Sequence, residues 1–187
     1  MNEKMTKQSQ TKKIGVKQLT VCAVLIALAF VINNFMPKIA MPFGGSATIF
    51  SMFIIFLPSY LYGIRVGLIA AFAFGCLDLL IGPSIVHPVQ VLLDYPLAYG
   101  MLGLGGIMNK HKNGLQMGYL ISIIGRFVMV ALSGMIFWAE YTPEGWNFIM
   151  WSLVYNGTYI GIEGLITLVL LFVPQIKNMI NKIKTLA

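Results

Sequence analysis

Residues 16–35 read VKQLTVCAVLIALAFVINNF, a run in which Lys17 is the one charged side chain. As a helix rising about 1.5 Å per residue it spans about 30 Å, the thickness of the hydrocarbon core of a bilayer. The fifteen residues before it, MNEKMTKQSQTKKIG, are polar and basic. The apolar run is nevertheless too long for a signal-peptide core and lacks a small-residue cleavage site, so it reads as a retained first transmembrane helix.

Five more apolar segments follow, from Ser46 to Tyr62, Ile64 to Ile81, Val89 to Met108, Leu115 to Ala139 and Phe148 to Val173. Each is close to the length a membrane crossing requires. The chain of 187 residues is 58% hydrophobic and 10% charged, with a mean hydropathy of +0.81. That composition excludes an ordinary soluble domain. The predicted fold is an all-α integral membrane protein of six transmembrane helices. Residues 1–15 form a basic N-terminal tail, 16–175 one membrane domain, and 176–187 a basic C-terminal tail.

Six crossings put both termini on one side, and the cations say which. Lys4, Lys7, Lys12, Lys13, Lys17, Arg65, Lys110, Lys112, Lys177, Lys182 and Lys184 share the side of the termini, which is therefore cytoplasmic by the positive-inside rule. Lys38, Glu140 and Glu144 lie on the other side. The net charge of +7 thus orients the chain in a cell membrane, and no nucleic-acid partner is expected. Cys22 and Cys76 fall in apolar runs without metal-ligand spacing, and no metal or cofactor is expected. Small residues at helix-packing spacing, Ala23 with Ala27, Gly63 with Gly67 and Gly157 with Gly161, are candidates for close helix contacts.

Asp78, Asp94, Arg126 and Glu163 sit inside the spans, where an unpaired charge costs several kcal/mol, so each should face the bundle interior. Arg126 and Glu163 read first as an ion pair fastening the fifth helix to the sixth, and second as ligand contacts. Asp94 differs. It lies beside Tyr95, below an outer loop (residues 82–88) that offers it no cation, and a water-filled pocket is its natural home. The stretch from Phe137 to Asn156 holds all three tryptophans, Trp138, Trp146 and Trp151. An interfacial aromatic belt accounts for Trp146 and Tyr141, but not for Asn156, whose amide lies well below the interface and must find a partner. A carboxylate, aromatic faces and an amide at similar depth suit a flat heteroaromatic cation.

Four blocks carry a resemblance: MPFGGSATIFSM, IGPSIVHPVQVLLDYPLAYG, LSGMIFWAEYTPEG and WSLVYNGTY. In order and spacing they resemble the thiamine-specific substrate-binding (S) components of energy-coupling factor (ECF) transporters, and the similarity covers nearly all the chain after the basic tail. The resemblance implies a thiamine pocket near the outer face. In it, Asp94 is the acidic residue facing the ligand, Tyr95 its neighbouring tyrosine, Trp138 the stacking aromatic, and Asn156 the asparagine that bonds the aminopyrimidine. Ser133 and Gly134 are the small residues that leave room, and Gln90, with His87, belongs to the matched loop. Ala23 and Ala27 match a small-residue motif that packs against a membrane coupling subunit.

Two positions depart from the family's pattern. Val130 stands where the family usually has histidine, and Trp151 where it usually has tyrosine. Either Trp151 restores stacking area from the other side or the pocket has changed its substrate. The resemblance further implies partners, a membrane coupling subunit and two cytoplasmic ATPases. The chain has no phosphate-binding loop of its own. The alternatives are an S component for a relative such as hydroxymethylpyrimidine, and a stand-alone ion-coupled transporter in which Asp78, Asp94 and Glu163 carry protons. No nucleophile–base or metal-ligand cluster points to an enzyme, and no catalytic residue is expected.

Overall fold

The computed structural model describes residues 14–43, 45–82 and 84–186. Most of the N-terminal basic tail therefore lies outside the described residues. Helix α1 (Val16–Phe35) leads into a two-residue hairpin, β1 (Ile39–Ala40) against β2 (Ser46–Ala47), with Ile39 opposite Ala47. Then come α2 (Ser51–Tyr62), α3 (Ile64–Asp78) with a 3₁₀ turn (Leu79–Ile81), α4 (Pro88–Met108), α5 (Gly114–Phe137), α6 (Phe148–Leu171) and α7 (Pro174–Leu186). Among the described residues five helices, α1, α3 with its 3₁₀ turn, α4, α5 and α6, are long and apolar enough to cross a membrane.

The second apolar segment departs from its predicted extent. Residues 46–50 are hairpin and turn, and the helix begins only at Ser51, after Phe50 takes a left-handed backbone (φ 71°). Such a conformation is strained for an aromatic residue and breaks the helix there. α2 ends at Gly63 (φ 91°), whose missing side chain permits the reversal into α3.

α4 is not a uniform helix. Pro96 has no N–H to donate, and around it the backbone widens to a π turn (Leu93–Leu97) between an α segment (Pro88–Leu92) and a 3₁₀ stretch (Met101–Met108). Glycines let this stretch sit between its neighbours. A Cβ on Gly103 would lie 2.4 Å from Leu68 N, and one on Gly105 2.4 Å from Gly118 O. Gly67 is equally close-packed, its added Cβ falling 2.1 Å from that of Ser59. By contrast, Gly161 has open space, and Gly157 would meet only Phe127, at 3.7 Å. The close packing expected of that pair is absent because it faces no backbone.

A stability contrast follows. Gly103→Ala should lower the stability of the detergent-solubilised protein by about 1–3 kcal/mol, since backbone atoms of α3 must shift to admit the methyl group. Gly157→Ala should be close to neutral. Equal unfolding temperatures for the two variants would contradict the packing described.

The core is aromatic, with Phe56 against Tyr119 at 5.6 Å between ring centroids and Phe74 against Tyr99 at 4.8 Å. The outside is apolar too. Leu19, Val24, Leu28, Val31 and Phe35 form an exposed stripe along α1, and Ile69, Phe72, Ile124, Val128 and Val169 continue such surface around the bundle. A surface this apolar is stable in lipid rather than in water.

The segment predicted as a basic tail from residue 176 is the helix α7, folded back on the bundle. Ile180 is buried, Tyr60 Oη donates to Asn181 Oδ1 at 2.6 Å, and Lys184 bonds the Asn109 carbonyl with its ammonium 3.8 Å from the Tyr60 ring centroid. Partial burial pushes the Lys184 pKa down. Lys17 Nζ donates to Leu186 O, so the first and last described helices meet at one end of the bundle.

Candidate functional site

At the opposite end a cavity of about 590 Å³ opens between α1, the hairpin, the start of α2, α3, α4, α5 and α6. Local backbone features deliver its side chains. The π turn of α4 presents Asp94 and Tyr95, and it packs so closely on α3 that a Cβ at Gly75 would lie 2.6 Å from Tyr95 O. The last turn of α5 brings Gly134 and Trp138, and the start of α6 brings Trp151, Ser152, Tyr155 and Asn156.

Of the side chains singled out in the sequence, Asp94, Tyr95, Gly134, Trp138, Trp151 and Asn156 line this one cavity. Gln90 and Ser133 do not reach its wall. Gln90 is 1% exposed and acts as a brace, its Nε2 donating to Asp94 Oδ2 (2.5 Å) and Ser84 O (3.1 Å) while its Oε1 accepts from Val86 N. It ties the loop after α3 to the carboxylate. Ser133 is fully buried behind Gly134, with no hydrogen-bond partner for its hydroxyl among the described residues. His87 caps α4, its Nδ1 accepting from Val89 N, and stacks on Phe137 at 5.0 Å.

Aromatic faces form much of the remaining wall. Trp151 has Trp146 at 5.5 Å, Phe43 at 6.1 Å and Tyr155 at 6.0 Å around it, while Trp138 pairs with Tyr141 at 5.3 Å. Trp146, expected as interfacial belt, thus supports the cavity's aromatic rim. Asn156 donates to Ser152 O at 2.9 Å and accepts from Tyr159 Oη at 2.9 Å, which fixes the orientation of its amide. Val130 also lines the cavity and offers neither a ring nor a hydrogen bond.

The expected ion pair between Arg126 and Glu163 is not formed. Glu163 Oε1 accepts from Ser51 Oγ (2.9 Å) and Met52 N (2.8 Å), donors made available because α2 starts beside it. Arg126 lies over Tyr99, its Cζ 4.1 Å from the ring centroid, and its Nε has no partner among the described residues. Both charged groups line the cavity.

Sequence reasoning missed a polar wall that runs across four elements. From Glu163 and Ser51 it passes to Thr48, whose hydroxyl is shared between Ser51 Oγ (3.0 Å) and Asn33 Oδ1 (3.3 Å), and ends where Asn33 Nδ2 donates to Asp78 Oδ1 at 2.8 Å. The signal was present in the Asn33-Asn34 pair, two amides closing an otherwise apolar span. Ala23 and Ala27 are far from all this, exposed on the outer face of α1. Among the described residues no cluster of three metal-ligating side chains exists.

Two known proteins of related sequence are named thiamine transporters. The chain is 33% identical over 135 residues to thiamine transporter ThiT of Bacillus subtilis, covering 65% of this chain and 70% of that protein. It is 30% identical over 122 residues to thiamine transporter ThiT of Lacticaseibacillus paracasei, covering 54% and 61%. A solved structure of ThiT from Listeria monocytogenes superposes with a TM-score of 0.67 at 23% identity, over 85% of this chain and 95% of that one, so the fold is shared. The family model described as thiamine transporter protein (Thia_YuaJ) matches residues 19–183. With its multiple apolar helices, this places the chain among multi-pass membrane proteins and not among enzymes. The chain is therefore a member of the thiamine transporter protein family.

Proposed function

We propose that the chain binds thiamine in this cavity, from outside the cell, as the S component of an ECF-type uptake transporter. The observation that carries the reading is the charge of the wall: Asp78, Asp94 and Glu163 against Arg126 and, at the rim, Lys38, all set among aromatic faces. Three carboxylates against two cations leave the cavity short of positive charge, and a flat cationic ligand supplies it. In this reading Asp94 neutralises the thiazolium, Trp138 and Trp151 stack on the rings, Asn156 bonds the aminopyrimidine, Tyr95 borders the ligand and Gly134 leaves room for it. Gln90 and Ser133 act from behind the wall. Cation–π contact contributes about 0.5–2 kcal/mol per well-placed ring.

Residues 16–175 form the membrane domain in six crossings, with α2 and the hairpin together making the second. The basic segments at both ends, 1–15 and 176–187, then lie in the cytoplasm. Because the chain has no ATP-binding loop, energy for release comes from a membrane coupling subunit, docked on the Ala23 and Ala27 face of α1, and two cytoplasmic ATPases.

Calorimetric titration of the detergent-purified protein with thiamine tests the ligand. Dissociation constants of about nanomolar order are expected. Folded protein that binds no thiamine overturns the assignment. The presence of Val130 in the wall motivates one alternative ligand, hydroxymethylpyrimidine, because the contact that the family's usual histidine would make is absent. In a competition series thiamine should displace bound label at far lower concentration than the pyrimidine alone. Equal potency would transfer the assignment to the pyrimidine.

A further inference from the structure

Two carboxylates of the cavity are held in the same unusual way. Asp94 gives Oδ2 to the Gln90 amide, and its Oδ1 makes no hydrogen bond to the described residues. Asp78 gives Oδ1 to both Asn33 Nδ2 (2.8 Å) and Asn34 Nδ2 (3.4 Å), and the Tyr99 hydroxyl lies close to the same carboxylate. Side-chain amides thus orient each group, neither forms an ion pair among the described residues, and both residues line the cavity. Arg126, whose guanidinium rests over Tyr99, acts on Asp78 only at a distance and makes no ion pair with it. A half-buried carboxylate without an ion-pair partner is costly unless a ligand donor or water completes it. The sequence reading assigned a ligand role to Asp94 and none to Asp78.

We propose that Asp78 is a second ligand-binding carboxylate of this cavity, taking a hydroxyl donor of the bound cation and disfavouring an anionic substituent at that end. The proposal rests on the reading that thiamine is the ligand, and it supplies a specificity that reading lacks. Thiamine carries one aliphatic hydroxyl, on the side chain of its thiazolium ring. When that hydroxyl bonds the Asp78 carboxylate, Asp94 remains for the ring charge. Phosphorylating the hydroxyl replaces a donor with an anion and sets like charges together, which is strongly unfavourable in a desolvated site.

The test measures binding of thiamine, thiamine monophosphate and the deoxy analogue, in which hydrogen replaces the hydroxyl, to the wild-type protein and to Asp78→Asn. The substitution keeps an oxygen for the Asn33 and Asn34 amides, so the α1–α3 contact is retained. Wild type should prefer thiamine over both analogues by about tenfold or more, and Asp78→Asn should narrow the monophosphate ratio to about threefold or less. The deoxy comparison needs no variant, so it decides even where Asp78→Asn folds poorly. Thiamine binding in which the deoxy analogue is as tight as thiamine, or in which Asp78→Asn leaves the monophosphate ratio unchanged, overturns the Asp78 assignment alone. Wild-type protein that binds no thiamine overturns the substrate reading and this assignment with it.

Discussion

Asp94→Asn should weaken thiamine binding about a hundredfold, corresponding to about 2.7 kcal/mol, while leaving the folded protein intact. The two side chains have the same shape, and the Gln90 amide that now holds Oδ2 can donate equally well to an asparagine oxygen. The cavity therefore keeps its form and loses one unit of negative charge. With Asp94 gone, the wall carries two carboxylates against Arg126 and Lys38, and the deficit that favours a cation disappears. A calorimetric titration at fixed pH and low salt measures the effect. Affinity within about threefold of wild type would show that Asp94 does not face the ligand's charge. Asn156→Ala is a useful companion, because it removes a neutral amide and should cost less.

Ala27→Trp should separate binding from transport. Ala23 and Ala27 lie on the exposed stripe of α1, one turn apart, between Leu19, Val24 and Val31. Small residues one turn apart allow another helix to approach backbone to backbone, and an indole there holds it away. No residue of the cavity is touched, so thiamine titration should be unchanged while uptake, in cells supplying the coupling subunit and ATPases, falls to background. Normal uptake by this variant would remove α1 from the proposed interface. Loss of binding would mean that the substitution acts on the fold.

The spans were legible because membrane crossing imposes a length and an apolar composition that few other structures require. Cavity residues on α4, α5 and α6 were legible for a related reason: a carboxylate or an amide inside a span must be accommodated, and Asp94 and Asn156 announced themselves by their cost. What escaped was the choice of partner. Arg126 and Glu163 are the obvious pair in sequence, yet Glu163 bonds α2, whose first turn offers Ser51 Oγ and Met52 N at the depth where α6 passes. That depth depends on where α2 begins, and α2 begins late because of the left-handed turn at Phe50. No local pattern announces such a turn. In α4 the proline was visible, but the widening around it that aims Asp94 depends on the contact with Gly75 of α3. For residues 176–187 the lysines dominated the reading, although Ile176, Ile180 and Ile183 recur at helical spacing and mark α7 as amphipathic.

The shortness of α2 bears on how the protein is made. From Ser51 to Tyr62 it covers about 18 Å, little more than half of the hydrocarbon thickness. A segment of that length is a poor stop for the insertion machinery when presented alone. Joined to α3 through the single residue Gly63, it enters lipid most easily as half of a hairpin, sheltered by the longer partner that emerges immediately after it. With α2 as the proposed second crossing, insertion is expected in an order: α1 first, α2 with α3 as a pair, and the aromatic end of the cavity last, when α6 arrives to give Glu163 to the waiting donors of α2.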